Sequence, residues 1–154
     1  MPRPPHRTLT ESGLRPLSVV AVFQSHLVWQ EDLCTALEAL ADSLPARFDT
    51  HSAKVLVSGL HPTLFQAHRF EEEVAFPILL ARHIDLAITL DRLRGEHIED
   101  QDRAIELQEA VADLVQDRSR RNAEVVGYML RCLFSGLRRH LALEREHLLP
   151  RLGE

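Results

Sequence analysis

The sequence predicts an all-α protein, an up-down-up-down four-helix bundle formed by one domain over residues 17–150. Three observations carry this expectation. Apolar residues recur at helical spacing in four long stretches, short polar or proline-marked connections separate those stretches, and no comparable stretch alternates with the period of two that a strand requires. Glycine is scarce, with 6 in 154 residues, which also argues against a turn-rich sheet protein.

The first stripe runs through Val19, Val22, Phe23, Leu33, Leu37, Leu40 and Leu44 and stops at Pro45, which cannot continue a helix. Residues 46–52 then form a polar linker in which Asp49 and Ser52 are suited to cap the next helix. The second stripe comprises Val57, Leu60, Leu64, Phe76 and Leu79, with bends expected at Pro62 and Pro77. A third passes through Leu86, Leu90, Leu93, Ala104, Leu107, Val111 and Leu114 before the charged turn of residues 116–121. The fourth uses Val126, Met129, Leu133, Leu137, Leu141 and Leu148 and ends at Pro150. Residues 1–16, with Pro2, Pro4, Pro5 and Pro16 and no continuous apolar stretch, read as a flexible N-terminal arm and not as a secretory signal, so a cytoplasmic location is expected.

Composition narrows the function. Residues of the set AVILMFWYC make up 45% and charged residues 27%, the profile of a globular chain and not of a disordered or membrane-embedded one. The 18 basic and 23 acidic residues leave a formal charge of −5, with the basic ones dispersed, so no nucleic acid partner and no membrane partner is expected. Cys34 and Cys132 form no CxxC pair and read as small buried apolar residues. Trp29 is expected in the core, and the acidic runs Glu71-Glu72-Glu73 and Glu99-Asp100 on solvated faces, except Glu72 by its phase.

The nine histidines are informative through their placement. His26 follows Phe23 by three, His68 follows Leu64 by four, His97 follows Leu93 by four and His140 follows Leu137 by three, so each helix turns one imidazole toward the core. Glu72 lies four residues after His68 and Glu144 four after His140, on the same inward faces. The halves repeat: 42 residues separate His26 from His68 and 43 separate His97 from His140. One histidine on an apolar helix face is ordinarily a satisfied core residue, and His6, His51, His61, His83 and His147 are read in that way or as surface groups. Four inward histidines with two matched carboxylates are harder to reach by independent ordinary placements.

A carboxylate facing an apolar core is costly unless it is paired, hydrogen-bonded or bound to metal. Side chains four apart on a helix have Cβ atoms about 5–6 Å apart, and paired catalytic metals lie about 3.5–4 Å apart, so one His-x-x-x-Glu can serve both ions of a dinuclear site. The expected ligands are therefore His26, His68, Glu72, His97, His140 and Glu144, with mixed nitrogen and oxygen donors that suit iron, and manganese or zinc as alternatives. A metal-free buried His–Glu network is the competing reading. A ferritin-like site would use Glu-x-x-His on two helices; Glu144-x-x-His147 fits once, but Ala75 stands in the corresponding place after Glu72.

At His68-x-x-x-Glu72 with Phe76-Pro77, Glu96-His97, and His140-x-x-x-Glu144 with Leu148-Leu149-Pro150, the chain resembles the hemerythrin-like HHE cation-binding domain over about residues 17–149. The resemblance implies a four-helix bundle holding two iron ions with a bridging oxide or hydroxide, Glu72 and Glu144 bridging and His26, His68, His97 and His140 capping. It also implies dioxygen or nitric oxide as ligand, for sensing, storage or protection. Relatives extend the range to iron supply and repair of iron centres, and a di-iron oxidase or peroxidase is the enzymatic alternative. The oxygen carriers of that family use a fifth histidine one turn from another on helix 3, where this chain has Leu93 and Gln101, so a more open coordination position is expected. A monomer or homodimer fits, with an unidentified redox or regulatory partner.

Overall fold

The computed structural model describes residues 18–154; the arm predicted at residues 1–16 lies outside the described residues. The first helix, α1 (Val19–Ser43), is followed by α2 (Thr50–Phe70), a π-helical turn at Glu71–Ala75 and α3 (Phe76–Arg82), which together make one rod. A 3₁₀ turn at Ile84–Leu86 leads into α4 (Ala87–Gln116). The last rod is α5 (Arg120–Leu143), a second π-helical turn at Glu144–Leu148 and α6 (Leu149–Leu152). Four rods with short connections give the expected bundle, and there is no strand among the described residues. The main packing pairs are α1 with α5, α2 with α4, and α4 with α5.

Local sequence explains the ends. The Ser18 hydroxyl accepts a hydrogen bond from Ala21 N at 3.1 Å, the Asp49 carboxylate one from Ser52 N at 3.0 Å, and the Ser119 hydroxyl one from Asn122 N at 3.1 Å. Each cap satisfies a backbone donor that the first helical turn leaves open. Pro62 sits within α2, whereas the change of helical register comes at Glu71–Ala75, immediately before Pro77. Phe76 N bonds Glu71 O and Leu149 N bonds Glu144 O, so both rods widen by one residue just ahead of a proline. Proline has no N–H to give and its ring crowds the preceding turn; one wider turn relieves both problems.

The core follows an alternation of steps of four and three. From Leu86 in the 3₁₀ turn, the buried line continues along α4 through Leu90, Leu93, His97, Asp100, Ala104, Leu107, Val111 and Leu114. On α1 it is Phe23, Leu27, Gln30, Cys34, Leu37 and Ala41. Leu64, Leu93 and Leu107 are fully buried, and each such leucine contributes on the order of 1.5–3 kcal/mol. Two expectations of burial fail on phase. Trp29 lies one residue before Gln30 on α1 and is 42% exposed, while Cys132 lies one residue before Leu133 on α5 and is exposed. Cys34 is buried as expected. No described helix is long and apolar enough to cross a membrane.

Candidate metal centre

The alternation of four and three that fills the core with leucine also carries polar residues into it near one end of the bundle. His97 and Asp100 interrupt the α4 line, His140 and Glu144 follow Leu137 at steps of three and four, and Glu71 follows Leu64 and Ala67 in the same manner. All five are buried, with Glu71, His97 and Glu144 at 0% exposure.

Glu71, His97, His140 and Glu144 each offer one donor atom, and these atoms lie within 4.8 Å of one another. His97 Nε2 is 2.9 Å from Glu71 Oε2 and 3.2 Å from His140 Nε2, and His140 Nε2 is 2.8 Å from Glu144 Oε1. His68 stacks on His97 with ring centroids 3.9 Å apart and planes 6° from parallel, and lies 6.1 Å from the His140 ring. His26 is partly buried against Phe70, at 4.9 Å between rings, and is close enough to feel the charge of Glu71.

The outer edges of the imidazoles are also provided for. His97 Nδ1 lies 2.6 Å from Glu72 Oε1, and His68 Nδ1 lies 3.0 Å from the Gln101 side-chain amide. The amide nitrogen faces the ring, so it donates to Nδ1; an ion at Nε2 of His68 would call for the amide to turn over and accept the Nδ1 proton through its oxygen. Glu72 thus occupies a place other than the inward one expected for it: its side chain is 35% exposed and grips His97 from outside, while Glu71 holds the buried position. Glu71 and Asp100 were expected on solvated faces and instead are 0% and 3% exposed.

Electrostatics report the strain of this arrangement. Burial, then the neighbouring Glu144 charge, pushes the Glu71 carboxyl up to about 7, and burial likewise pushes Glu144 up to about 7. Burial and then the charges of His97 and His140 drive His68 down to about 2. Burial also lowers His140 and His26. His97 moves the other way: burial opposes its charged form, but Glu71 and Glu72 outweigh that and raise it.

Whether a metal suits the cluster is testable on the buried polar atoms. His26 Nδ1, His68 Nε2, both Glu71 oxygens, Glu144 Oε2 and His140 Nδ1 are buried without a hydrogen-bond partner. Glu71 Oε2 is near enough to His97 for charge attraction yet lacks hydrogen-bond alignment. Unsatisfied buried groups of this kind cost about 1–3 kcal/mol each, and a cation between Glu71 and Glu144 would satisfy the carboxylate oxygens together. Nitrogen and oxygen donors at about 2.0–2.2 Å from a metal lie up to about 4.4 Å apart, and the cluster needs little contraction to reach that. The residues present fit a transition-metal ion.

His147, the residue a ferritin-like site would add, is 62% exposed at its side chain and pairs loosely with Glu146 at 3.9 Å. His83 meets the Arg151 carbonyl at 3.2 Å, and His61 stacks near Phe65 at 6.2 Å. None of the three is in the cluster.

A family model described as the hemerythrin HHE cation binding domain matches residues 29–152. No curated protein and no solved structure matches the chain.

Proposed function

Because the chain belongs to the hemerythrin HHE cation-binding family, we propose that its buried His–Glu cluster holds a non-haem di-iron centre that binds dioxygen or nitric oxide, for sensing, storage or protection. The observation that carries this reading is the convergence of Glu71, His97, His140 and Glu144 within 4.8 Å at full burial, with carboxylate oxygens left unpartnered. In this reading Glu71, His97, His140 and Glu144 would hold the ions, joined by His68 through its unpartnered Nε2 and His26 through its unpartnered Nδ1, both of which lie outside that group of four. Glu72 is assigned to hold His97 from outside. Two iron ions in that setting would supply reversible or irreversible electron transfer to a bound diatomic molecule.

The protein's own part is to orient and to exclude. Leu93, with 0% exposure one turn before His97, keeps that side of the cluster apolar and denies it a further donor. A low-polarity wall of this kind excludes water and restrains proton delivery, which favours binding over turnover. We propose a cytoplasmic location for the protein, and its formal charge of −5 disfavours binding to nucleic acid or to an anionic membrane surface.

A second reading, redox turnover as an oxidase or peroxidase or release of iron for supply and repair, is favoured by one feature. A polar cavity of about 280 Å³ between α4 and α5, lined by Arg92, Glu96, Glu99, Asp100 and Arg103, reaches His140 and gives ions and small reactants a path. Stopped-flow mixing of the reduced, iron-loaded protein with oxygen separates the two readings. A long-lived oxygenated absorbance supports binding; rapid conversion to a ferric spectrum supports turnover. Failure of the purified protein to bind iron at all rules out both.

A further inference from the structure

Asp100 is a carboxylate in a core position, 3% exposed, in the seam of α4 between His97 and Ala104 where every other member but the histidine is apolar. Its counter-charge is modest: Arg103 Nη1 approaches Asp100 Oδ1 at 3.4 Å and is itself 46% exposed. A buried carboxylate so placed is expensive, and an alanine or leucine would fill the seam more favourably. Asp100 is outside the group of four that could hold an ion.

Its second oxygen faces His140. Asp100 Oδ2 lies 3.9 Å and Glu96 Oε2 3.5 Å from His140 Nδ1, while the opposite nitrogen, Nε2, points to Glu144 at 2.8 Å. Nδ1 is buried and has no hydrogen-bond partner. The same division recurs on His97, whose Nδ1 meets Glu72, whereas Nδ1 of His68 meets the amide nitrogen of Gln101. His97 and His140 therefore turn Nε2 inward and Nδ1 toward a carboxylate.

From this geometry we infer that Asp100, assisted by Glu96, is the positioning residue of His140: it holds the ring proton on Nδ1 and so keeps Nε2 free as a metal donor. The inference rests on the metal-centre reading above. Glu144 lies nearer the ring, 2.8 Å from Nε2, so the tautomer is decided once an ion takes up Nε2 and Glu144. A lone pair on Nδ1 would then be repelled by the two carboxylates at 3.5 Å and 3.9 Å, whereas an N–H dipole pointed at them is attracted without hydrogen-bond contact. Asp100 is 3% exposed, so its attraction for the N–H is less screened than that of Glu96, which faces the polar cavity. Outer partners of this kind fix the tautomer of a ligating histidine and raise its donor strength, and their loss typically weakens metal binding about 10–100-fold.

The test uses zinc(II) as a diamagnetic probe on the full chain. Wild type, Asp100→Asn, Asp100→Leu and Asp100→Leu with Glu96→Gln are compared by zinc affinity in a competing chelator and by the ¹⁵N–¹H signal of the His140 ring, assigned through its absence in His140→Gln. Asp100→Leu suits an apolar seam, so the fold is expected to persist, and a thermal melt of the metal-free protein checks that it does. The expected result is a slowly exchanging Nδ1 proton on His140 in the wild type, which exchanges faster in Asp100→Leu and fastest in the double variant. Zinc affinity should fall about 10–100-fold in Asp100→Leu and by less in Asp100→Asn, which keeps an acceptor oxygen. An Asp100→Leu protein with wild-type affinity and an unchanged ring signal overturns the inference while leaving the metal centre standing. Loss of one bound ion per chain without a change in the ring signal also overturns it, by making Asp100 a ligand. A wild-type protein that takes up no zinc and no iron overturns the metal-centre reading and this inference together.

Discussion

Glu71→Gln should raise the stability of the metal-free protein and abolish the gain that metal gives, two effects of opposite sign from one atom change. The Glu71 carboxyl is fully buried and its pKa rises from the ordinary 4.5 to about 7. A carboxyl with a raised pKa contributes its full stability below its unfolded value, near 4.5, and loses it as pH climbs through 7. At about 1.4 kcal/mol per pH unit, the span from 4.5 to about 7 corresponds to a penalty on the order of 3 kcal/mol for the wild type above neutrality. The amide of the variant carries no such penalty and offers an N–H to the unpartnered Glu144 Oε2, within the 4.8 Å cluster. Because Glu144 is pushed up in the same pocket, substituting both should gain less than twice as much.

Thermal melts in a strong chelator make this visible. At about pH 8 the variant should melt roughly 6–12 °C above the wild type, taking about 2–4 °C per kcal/mol for a chain of this size, and near pH 4.5 the two should nearly coincide. On adding iron(II) without oxygen the order should reverse, since a ligand at about 1,000 times its Kd adds roughly 4 kcal/mol to the wild type and the variant has lost a shared carboxylate. A variant less stable than the wild type in chelator at pH 8, or one stabilised equally by iron, would refute the reasoning.

Further outcomes follow from the same structure. Glu72→Ala should weaken iron binding about 10–100-fold and leave it measurable, as for a group that grips His97 from outside, whereas Glu71→Ala should remove it; equilibrium dialysis against chelator distinguishes the two. Leu93→Ala, at a fully buried seam position, should cost about 2–5 kcal/mol, read from urea denaturation of the metal-free protein. Removal of the Ser119 cap on α5 by Ser119→Ala should cost about 1 kcal/mol in the same assay, with iron content per folded chain unchanged.

Much of this was legible in the sequence because a bundle is written in its spacing. The four stripes, Pro45, the Asp49 cap and the charged turn before α5 are local signals, and each appears where local chemistry demands it. The inward carboxylate of the second rod was not legible from His68 alone. Counting four residues on from His68 and His140 gives Glu72 and Glu144 and a repeat of 72 residues. The buried lines instead repeat at 73: Leu60 with Leu133, Leu64 with Leu137, Glu71 with Glu144 and Ala75 with Leu148, and the exposed Pro77 and Pro150 keep the same spacing. His68 lies one residue after the position equivalent to His140, so a count of four from it reaches Glu72 and not the buried Glu71. The prolines carried the better register, because each follows the first residue of a π-helical turn by six.

The same seam rule would have found Asp100, three residues after His97 and four before Ala104, and would have left Trp29 outside. Charge identity hid the first and hydrophobicity promoted the second; in both cases phase outweighed residue type. Which outer atoms meet which imidazole depends on packing between helices and has no local signature.

The most direct test of the metal centre is a count of iron per chain after anaerobic reconstitution with iron(II), removal of excess, and an optical spectrum before and after azide. The expected result is about two irons per chain with an azide-dependent ferric absorption after oxidation. Fewer than one transition-metal ion per folded chain would contradict the account.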